Sequence, residues 1–382
     1  MEEAGREVDV LWNGRRVRAF VPTPLAERDL TISTTTAART ATAAAEVAHA
    51  AEGLTADYET LARMLLRSEG VASSYIEGIK APIIDIVLAE EHLAPGTTSA
   101  AWVASNLAAV TEAIATVAAT SLSLATLCEW HRTLMTGSPT PVRYVGVIRN
   151  EQGWIGGNDP SNASLVTPPP DELEPLLKDL FRFANREDVD AVAQAGIAHA
   201  QFEIIHPFAD GNGRVGRVLI AWILAKRLSL VAPPPVSVTI AADVGGYSSG
   251  LVQYRFGQLD PWLQWFADTV RGGGRAQSQL IAEVSALKTR WREQLGHRER
   301  ALRSDATAWV VLDLLPRHLV LTTDVLTKEL GVTNKAALDA LRQLAEGGVL
   351  LEYGTVIRGR GQPSKLYVSR ELLALAGSNP LR

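Results

Sequence analysis

The spacing of apolar positions divides the chain into mostly helical elements. "VDVLWNGRRVRAFVPTPL" alternates, and it predicts a short strand or hairpin followed by a proline-marked loop. From about Thr36 to Met64 an alanine-rich stretch has helical periodicity, and so does "LARMLLRSEGVASSYIEGI". "LAPGTTS" separates a helix ending near Leu93 from one over Ala101 to Ala119. "SLATLCEWHRTLM" then sets Leu124, Leu127, His131 and Leu134 on roughly one helical face. Two short strand-like pieces, around Gly153 and Gly156–Gly157, precede three prolines and the acidic start of another helix. "VAQAGIAHAQFEII" and "VLIAWILAKRLSLV" read as two further helices.

The last eighty or so residues have a different character. "TAWVVLDLL" predicts a short helix. "LTTDVLTKELGVTNKAALDALRQL" predicts a helix, a tight turn at Gly331 and a second helix, with Thr323 and Thr333 as N-caps. "VLLEYGTVIRGRGQPSKLYVS" alternates like a two-stranded ribbon with Arg358, Arg360 and Lys365 at its tip. That is the order of a winged helix-turn-helix. "RGGGRAQ" reads as a hinge, with a charged helix from Ser278 to Gly296 after it. The expected fold is mainly α. Residues 1–120 form an N-terminal helical region and 121–270 a helical core with a short β-hairpin. Residues 271–300 are a connecting helix or hinge, and 301–376 the winged helix-turn-helix domain.

Composition narrows the class. At 382 residues the chain has room for two domains, and 47% hydrophobic with 21% charged residues is ordinary for a folded soluble protein. A net charge of −5 argues against a whole-chain polyanion binder but leaves a local basic face open. Cys128 is the single cysteine, so no intrachain disulfide and no four-cysteine zinc site can form. That fits a reducing, cytoplasmic compartment. The start "MEEAGREVDV" lacks the order of a secretory signal. Lys226 and Arg227 break the longest apolar run, so no membrane association is expected.

Candidate chemistry concentrates in "HPFADGNGRVGR", His206 to Arg217. Pro207 lacks an amide hydrogen and disfavours helix in the residue before it, so one helix stops at about His206. The next restarts at about Gly213 or Arg214. Gly211 and Gly213 permit close backbone approach in the loop between them. A glycine-rich loop entering a helix N-terminus presents free amides to phosphate. Arg214 and Arg217, one turn apart, could fork onto phosphate oxygens, and Asp210 offers a hard oxygen suited to Mg2+. At the other lip, a neutral His206 could take a proton from an attacking hydroxyl. Any one of these residues alone reads better as part of a capped helix-loop-helix; eight at this spacing read as a nucleotide site. His199, Glu203 and His206 share a helical face, yet they reach a common metal poorly. His199 is expected to be buried and hydrogen-bonded, and Glu203 to position the base or cap a neighbour. No GxxxxGK[ST] loop occurs.

"HPFADGNGR" resembles the HPFx[DE]GN[GK]R signature of the Fic (filamentation induced by cAMP) family at every fixed position. "FEIIHPF", "VGR", "RNEQGWIGG" before "PPP", and "YSSGLVQYRFGQLDPWLQWF" resemble it too, so the likeness covers roughly Trp12 to Val270. It implies transfer of AMP from ATP, with Mg2+, to a Ser, Thr or Tyr hydroxyl of a target protein or of the chain itself. By the resemblance, His206 is the general base and Asp210 holds magnesium. Gly211, Asn212 and Gly213 form the anion hole, Arg214 contacts the terminal phosphates, and Arg217 contacts the γ-phosphate. Val215 and Gly216 go with this nucleotide-binding loop, and Tyr247 stands where an aromatic residue lies near adenine. "IRNEQGWIGGN" takes the place of a hairpin flap, with Trp154, Ile155 and Gly156 aligning the target by strand pairing.

Beside that motif, "SSYIEG" matches the family's inhibitory pattern [ST]xxxE[GN] at Ser73, Glu77 and Gly78. Taken alone it is a helix end capped by Gly78. The resemblance implies that Glu77 competes with the γ-phosphate for Arg217, and in some relatives the same glutamate serves the removal of AMP. Three alternatives stay open: a DNA-binding regulator with a self-modifying centre, another donor nucleotide, and the reverse reaction. Residues 323–368 could bind DNA through Asn334, Lys335 and Arg342, with Arg358, Arg360 and Lys365 on backbone. Winged helices also dock proteins or form dimers, so a homodimer is a further open expectation.

Overall fold

The computed structural model describes residues 4–54, 58–93, 98–297, 302–356 and 363–377. Strands β1 (Gly5–Trp12) and β2 (Arg15–Pro22) form an antiparallel hairpin. Asn13 and Gly14, with φ of 48° and 76°, turn it as an Asn-Gly pair does in a two-residue loop. The helical stretch expected from Thr36 to Met64 is two helices, α1 (Thr34–Glu52) and α2 (Tyr58–Ile76), because Gly53 caps the first. Next come α3 (Ile83–Glu90), α4 (Thr98–Ala115) and α5 (Leu124–Leu134). Ser123 caps α5 by accepting from the Thr126 amide.

The second hairpin pairs β3 (Trp154–Ile155) with β4 (Leu165–Val166). Its second strand is therefore not at Gly156–Gly157. Those glycines, with φ of 70° and 69°, open the turn instead. After α6 (Pro170–Ala184), helix α7 (Ala191–Ile205) has every residue buried, as expected of a helix without a polar face. Helix α8 (Asn212–Arg227) packs on it and is nearly as enclosed. Then follow α9 (Val236–Ala242), α10 (Val244–Arg255) and α11 (Leu259–Gly296).

Gly272–Gly274 do not interrupt α11, so of the two expectations for residues 271–300, a connecting helix or a hinge, the structure has the helix up to Gly296. A Cβ on Gly272 would lie 2.7 Å from the Thr239 side chain, one on Gly273 3.3 Å from Val236 Cα, and one on Gly274 3.3 Å from Val47 Cγ2. The glycines are where α11 passes α9 and α1 at close range.

Beyond α11, the elements are α12 (Thr307–Leu314), β5 (Val320–Leu321), α13 (Thr323–Leu330), α14 (Asn334–Glu346), β6 (Leu351–Val356), β7 (Ser364–Val368) and α15 (Arg370–Ala376). The strands form an antiparallel sheet of order β5-β7-β6. Thr322, not Thr323, caps α13, accepting from the Val325 amide, and Thr333 caps α14. Arg358 and Arg360 lie outside the described residues.

Two large apolar cores result. One is built on α7 and α8 and reaches Leu66 of α2 and Val47 of α1. The other joins α12–α14 to Val284, Leu287 and Trp291 of α11, Val87 and Leu88 of α3, and Leu61, Met64 and Leu65 of α2. Helix α2 thus has side chains in both. Arg63 and Arg67 of α2 also pair with Glu90 of α3, at 2.8 and 2.9 Å. Among the described residues, no helix is long and apolar enough to cross a membrane.

Candidate active site

The loop between α7 and α8 is held from three sides. Helix α7 ends at His206, which takes left-handed φ and ψ of 49° and 60° ahead of Pro207. The Asn212 side chain closes the loop, its Oδ1 accepting from the Phe208 amide at 2.9 Å and its Nδ2 donating to the Phe208 carbonyl at 2.8 Å. From α5, His131 stacks on Phe208 with ring centroids 3.9 Å apart. It accepts the Gly146 N–H at Nδ1, so its Nε2 carries the hydrogen and donates to the Asp210 carbonyl at 3.0 Å. Burial pushes the His131 pKa down to about 4, which keeps that tautomer neutral.

Gly211, at φ 77°, is the N-cap of α8, which starts at Asn212. The amides of the first turn therefore open onto a cavity of about 270 Å³ lined by Glu77, His206, Asp210, Gly211, Gly213 and Arg214. Arg214 and Arg217 are both buried. Arg214 Nε and Arg217 Nη1 meet no hydrogen-bond acceptor among the described residues. Burial lowers the Arg214 pKa, opposed by the charges of Asp210 and Glu77. Buried guanidinium N–H groups left unpaired beside free helix-terminal amides form a strong anion site.

His206 is half-buried, and its Nδ1 lies 3.2 Å from the Glu203 carbonyl. Only an N–H can bond there, so Nε2 is left with its lone pair. Desolvation lowers the His206 pKa to about 4, against the hydrogen bond to Glu203. Asp210 is exposed; its Oδ2 accepts from Thr140 Oγ1 at 3.0 Å and its Oδ1 from the Gly211 amide at 2.7 Å.

Ser73, Glu77 and Gly78 stand at the end of α2. Gly78 takes φ 74°, and the Ile79 amide bonds back to the Ser74 carbonyl, which ends the helix. The same end reaches Arg217. Its Nη2 donates to Glu77 Oε1 and to the Ser73 carbonyl at 2.8 and 2.9 Å, and its Nε donates to Ser73 Oγ at 2.9 Å. A Cβ on Gly213 would collide with Glu77 Oε1, so that glycine leaves room for the carboxylate over the helix N-terminus.

Three expected nucleotide contacts are elsewhere. Val215 is in the apolar core, and Gly216 faces Glu203 and His199, because successive helical residues rotate away from the cavity. Tyr247 is buried on α10 with its hydroxyl 2.9 Å from His199 Nε2, so its ring is not offered to a base. His199 is buried, its Nδ1 4.0 Å from Glu203 Oε1, and Glu203 supports His206 through its carbonyl rather than its carboxyl group. Burial raises the Glu203 pKa to about 8. Trp154 and Ile155 lie on β3 and Gly156 in the turn after it; the Trp154 ring meets Trp12 of β1 edge-on at 6.2 Å.

The sequence did not single out Arg149. Its buried guanidinium donates to the His206 carbonyl at 2.8 Å and to the Glu151 and Pro168 carbonyls at 2.7 Å. Nothing local in "VIRNEQ" signals that burial.

Residues 121–224 match the model of the Fic/DOC family. The protein adenylyltransferase fic-1 of Caenorhabditis elegans is 28% identical over 171 residues, which is 44% of this chain and 30% of that protein. The protein adenylyltransferase Fic of Drosophila melanogaster is 29% identical over 150 residues, 38% of this chain and 28% of that one. The chain thus spans about 30% of the length of these curated relatives. A Fic family protein from Desulfovibrio desulfuricans G20 shares the fold, with a TM-score of 0.53 and 20% identity over 89% of this chain and 98% of that one.

Proposed function

We propose that this chain, whose residues 121–224 are a Fic domain, transfers the AMP part of ATP to a hydroxyl of a target protein. One observation carries the reading. The unpaired Nε–H of buried Arg214, the amides opening α8 and a neutral His206 meet at one cavity, and the unpaired Nη1 of Arg217 is buried next to Gly213 in its wall. The phosphates take the amides and guanidinium groups, which stabilises charge developing on their oxygens. His206 Nε2 takes the proton of the acceptor hydroxyl as its oxygen bonds the α-phosphorus and the bond to pyrophosphate breaks. The hairpin of β3 and β4 holds the target segment by strand addition.

Asp210 fits magnesium. It offers one exposed carboxylate at the phosphate loop, and this ion is commonly held by one or two carboxylates plus substrate phosphates. When bound, it would neutralise phosphate charge. Ser73 and Glu77 restrain the reaction by holding Arg217 away from the γ-phosphate. The chain labelled with α-labelled ATP, beside a γ-labelled control, tests the transfer. Label from the α position alone is expected, and label from the γ position would replace this reading with phosphoryl transfer.

The pH dependence follows from His206. Burial, helped by the Arg149 charge, lowers its pKa to about 4 against the Glu203 hydrogen bond and the charges of Glu77 and Asp210. The neutral ring is the active form, so activity is lost only as pH falls through that value. The pH–rate profile should stay flat around neutrality, where an ordinary histidine, with a pKa of about 6.5, would already show an inflection.

A second reading concerns residues 302–377. Their helix–strand–helix–helix–strand–strand order, followed by α15, supports a winged helix, and α14 presents Asn334, Lys335 and Arg342 to solvent. Lys365 is paired with Glu352 at 2.8 Å, which weakens its expected role on a DNA backbone. Duplex binding that falls with salt and survives His206→Ala would support DNA as partner. No shift at low salt would favour a protein partner.

A further inference from the structure

Among the described residues, no carboxylate meets the buried guanidinium of Arg149. Its guanidinium is met only by neutral oxygens, with Nε on the His206 carbonyl, Nη1 on the Glu151 carbonyl, and Nη2 on Thr167 Oγ1 at 2.9 Å, the Pro168 carbonyl, and the Ile205 carbonyl at 3.3 Å. Its own amide donates to the Pro207 carbonyl at 2.9 Å. Burying a guanidinium is costly, and here it lowers the pKa to about 10. A group placed at that cost, with nearly all its donors matched, fixes what it touches.

Two things are fixed together. His206 is a non-glycine residue in left-handed geometry, a conformation that persists only where the surroundings impose it. Arg149 holds the carbonyl oxygens on both sides of that residue's Cα, those of Ile205 and His206, and the carbonyl of Pro207 beyond. It also clasps both roots of the hairpin, Glu151 before β3 and Thr167–Pro168 after β4. Gly153 makes this possible, because a Cβ there would lie 2.8 Å from Arg149 Nε. The roots are cross-bonded as well, with the Thr167 amide on the Gly153 carbonyl at 3.1 Å.

We propose that Arg149 is a positioning residue that locks the β3–β4 hairpin and the His206 base into one rigid unit, so that an acceptor held on the hairpin meets Nε2 in register. The proposal rests on the AMP-transfer reading, in which the hairpin holds the acceptor. Arg149 itself is not among the residues lining the cavity. Lysine cannot replace it: a single ammonium group lacks the fork that reaches His206 on one side and Glu151 and Pro168 on the other. A misplacement near 1 Å between base and acceptor would cost on the order of 100-fold in rate.

The test uses Arg149→Lys, Arg149→Met and Arg149→Ala in the 382-residue Glu77→Gly chain. It measures AMP transfer at varied acceptor, the dissociation constant of ATP, and His206 titration by NMR. Transfer should fall on the order of 100-fold, while ATP affinity holds because α8 and its amides are untouched. The His206 titration in Arg149→Met should move upward as the nearby charge is removed, and added guanidinium should restore part of the transfer in an Arg149→Ala chain. Loss of ATP binding in step with transfer, or an unmoved His206 titration with transfer intact, would overturn the proposal. If the Arg149-containing chain transfers no AMP at all, the functional reading fails instead, and His206 titration with guanidinium binding still decides whether Arg149 sets the base.

Discussion

Replacing Glu77 by glycine should raise AMP transfer on the order of 10- to 100-fold. The carboxylate lies 2.8 Å from Arg217 Nη2, and Arg217 is fully enclosed. A charge-assisted hydrogen bond of this kind contributes about 1.5–3 kcal/mol, and about 1.4 kcal/mol is tenfold in rate. Glu77 is 39% exposed on its side chain, so solvent screens the pair and the lower half of that range is the better guide. Removing it takes away the charged partner of the guanidinium, leaving its two bonds to Ser73, and opens the space above Gly213. Glycine at this place costs the helix little, since α2 ends at Ile76 and Gly78 already turns the chain. Ser73→Ala should give a smaller increase, because it removes only the bond to Nε and leaves the Ser73 carbonyl in place. The measurement is incorporation from α-labelled ATP at saturating nucleotide; an unchanged rate in Glu77→Gly would remove the inhibitory role.

The second large effect has the opposite sign. Adding His206→Ala to Glu77→Gly should lower transfer by about 10²- to 10⁴-fold, the usual contribution of a positioned general base. ATP binding should survive, because the amides of α8, Arg214 and Arg217 are all set from elsewhere. Residual transfer in this double variant should rise with pH where the wild-type profile is flat, as hydroxide or the free hydroxyl replaces the lost base. Transfer at the Glu77→Gly rate would instead show that the proton leaves by another route.

How much of this was legible follows from where the partners of each residue lie. The loop from His206 to Arg217 was readable because its parts are contiguous: a proline fixes one helix end, a glycine caps the next, and the arginines repeat at one turn. The contact of Glu77 with Arg217 spans 140 residues and entered only through a family pattern. Arg149 was invisible because most of its partners are backbone carbonyls, which every residue carries. Tyr247 was assigned to the nucleotide because order along a chain does not say which way a ring faces on its helix. Gly272–Gly274 leave the sequence undecided between a connecting helix and a hinge, because glycine weakens an isolated helix. In the folded chain, close passage by α9 and α1 overrides that preference. The break after Glu52 was hidden by alanine, which suits either side of it.

The sharing of α2 between the two cores bears on how this chain can be taken apart. Leu61, Met64 and Leu65 belong to the same apolar core as α12–α14, while Ser73 and Glu77, two to four turns further on, sit against Arg217. A chain cut after Gly296 would open that core and remove α15, which packs on α2 and α3. It would loosen one half of the helix whose other half holds Arg217. The C-terminal residues are thus a splint as well as a module. An isolated catalytic fragment would report on a loosened restraint and a missing domain at once, so point substitutions in the intact chain are the cleaner instrument.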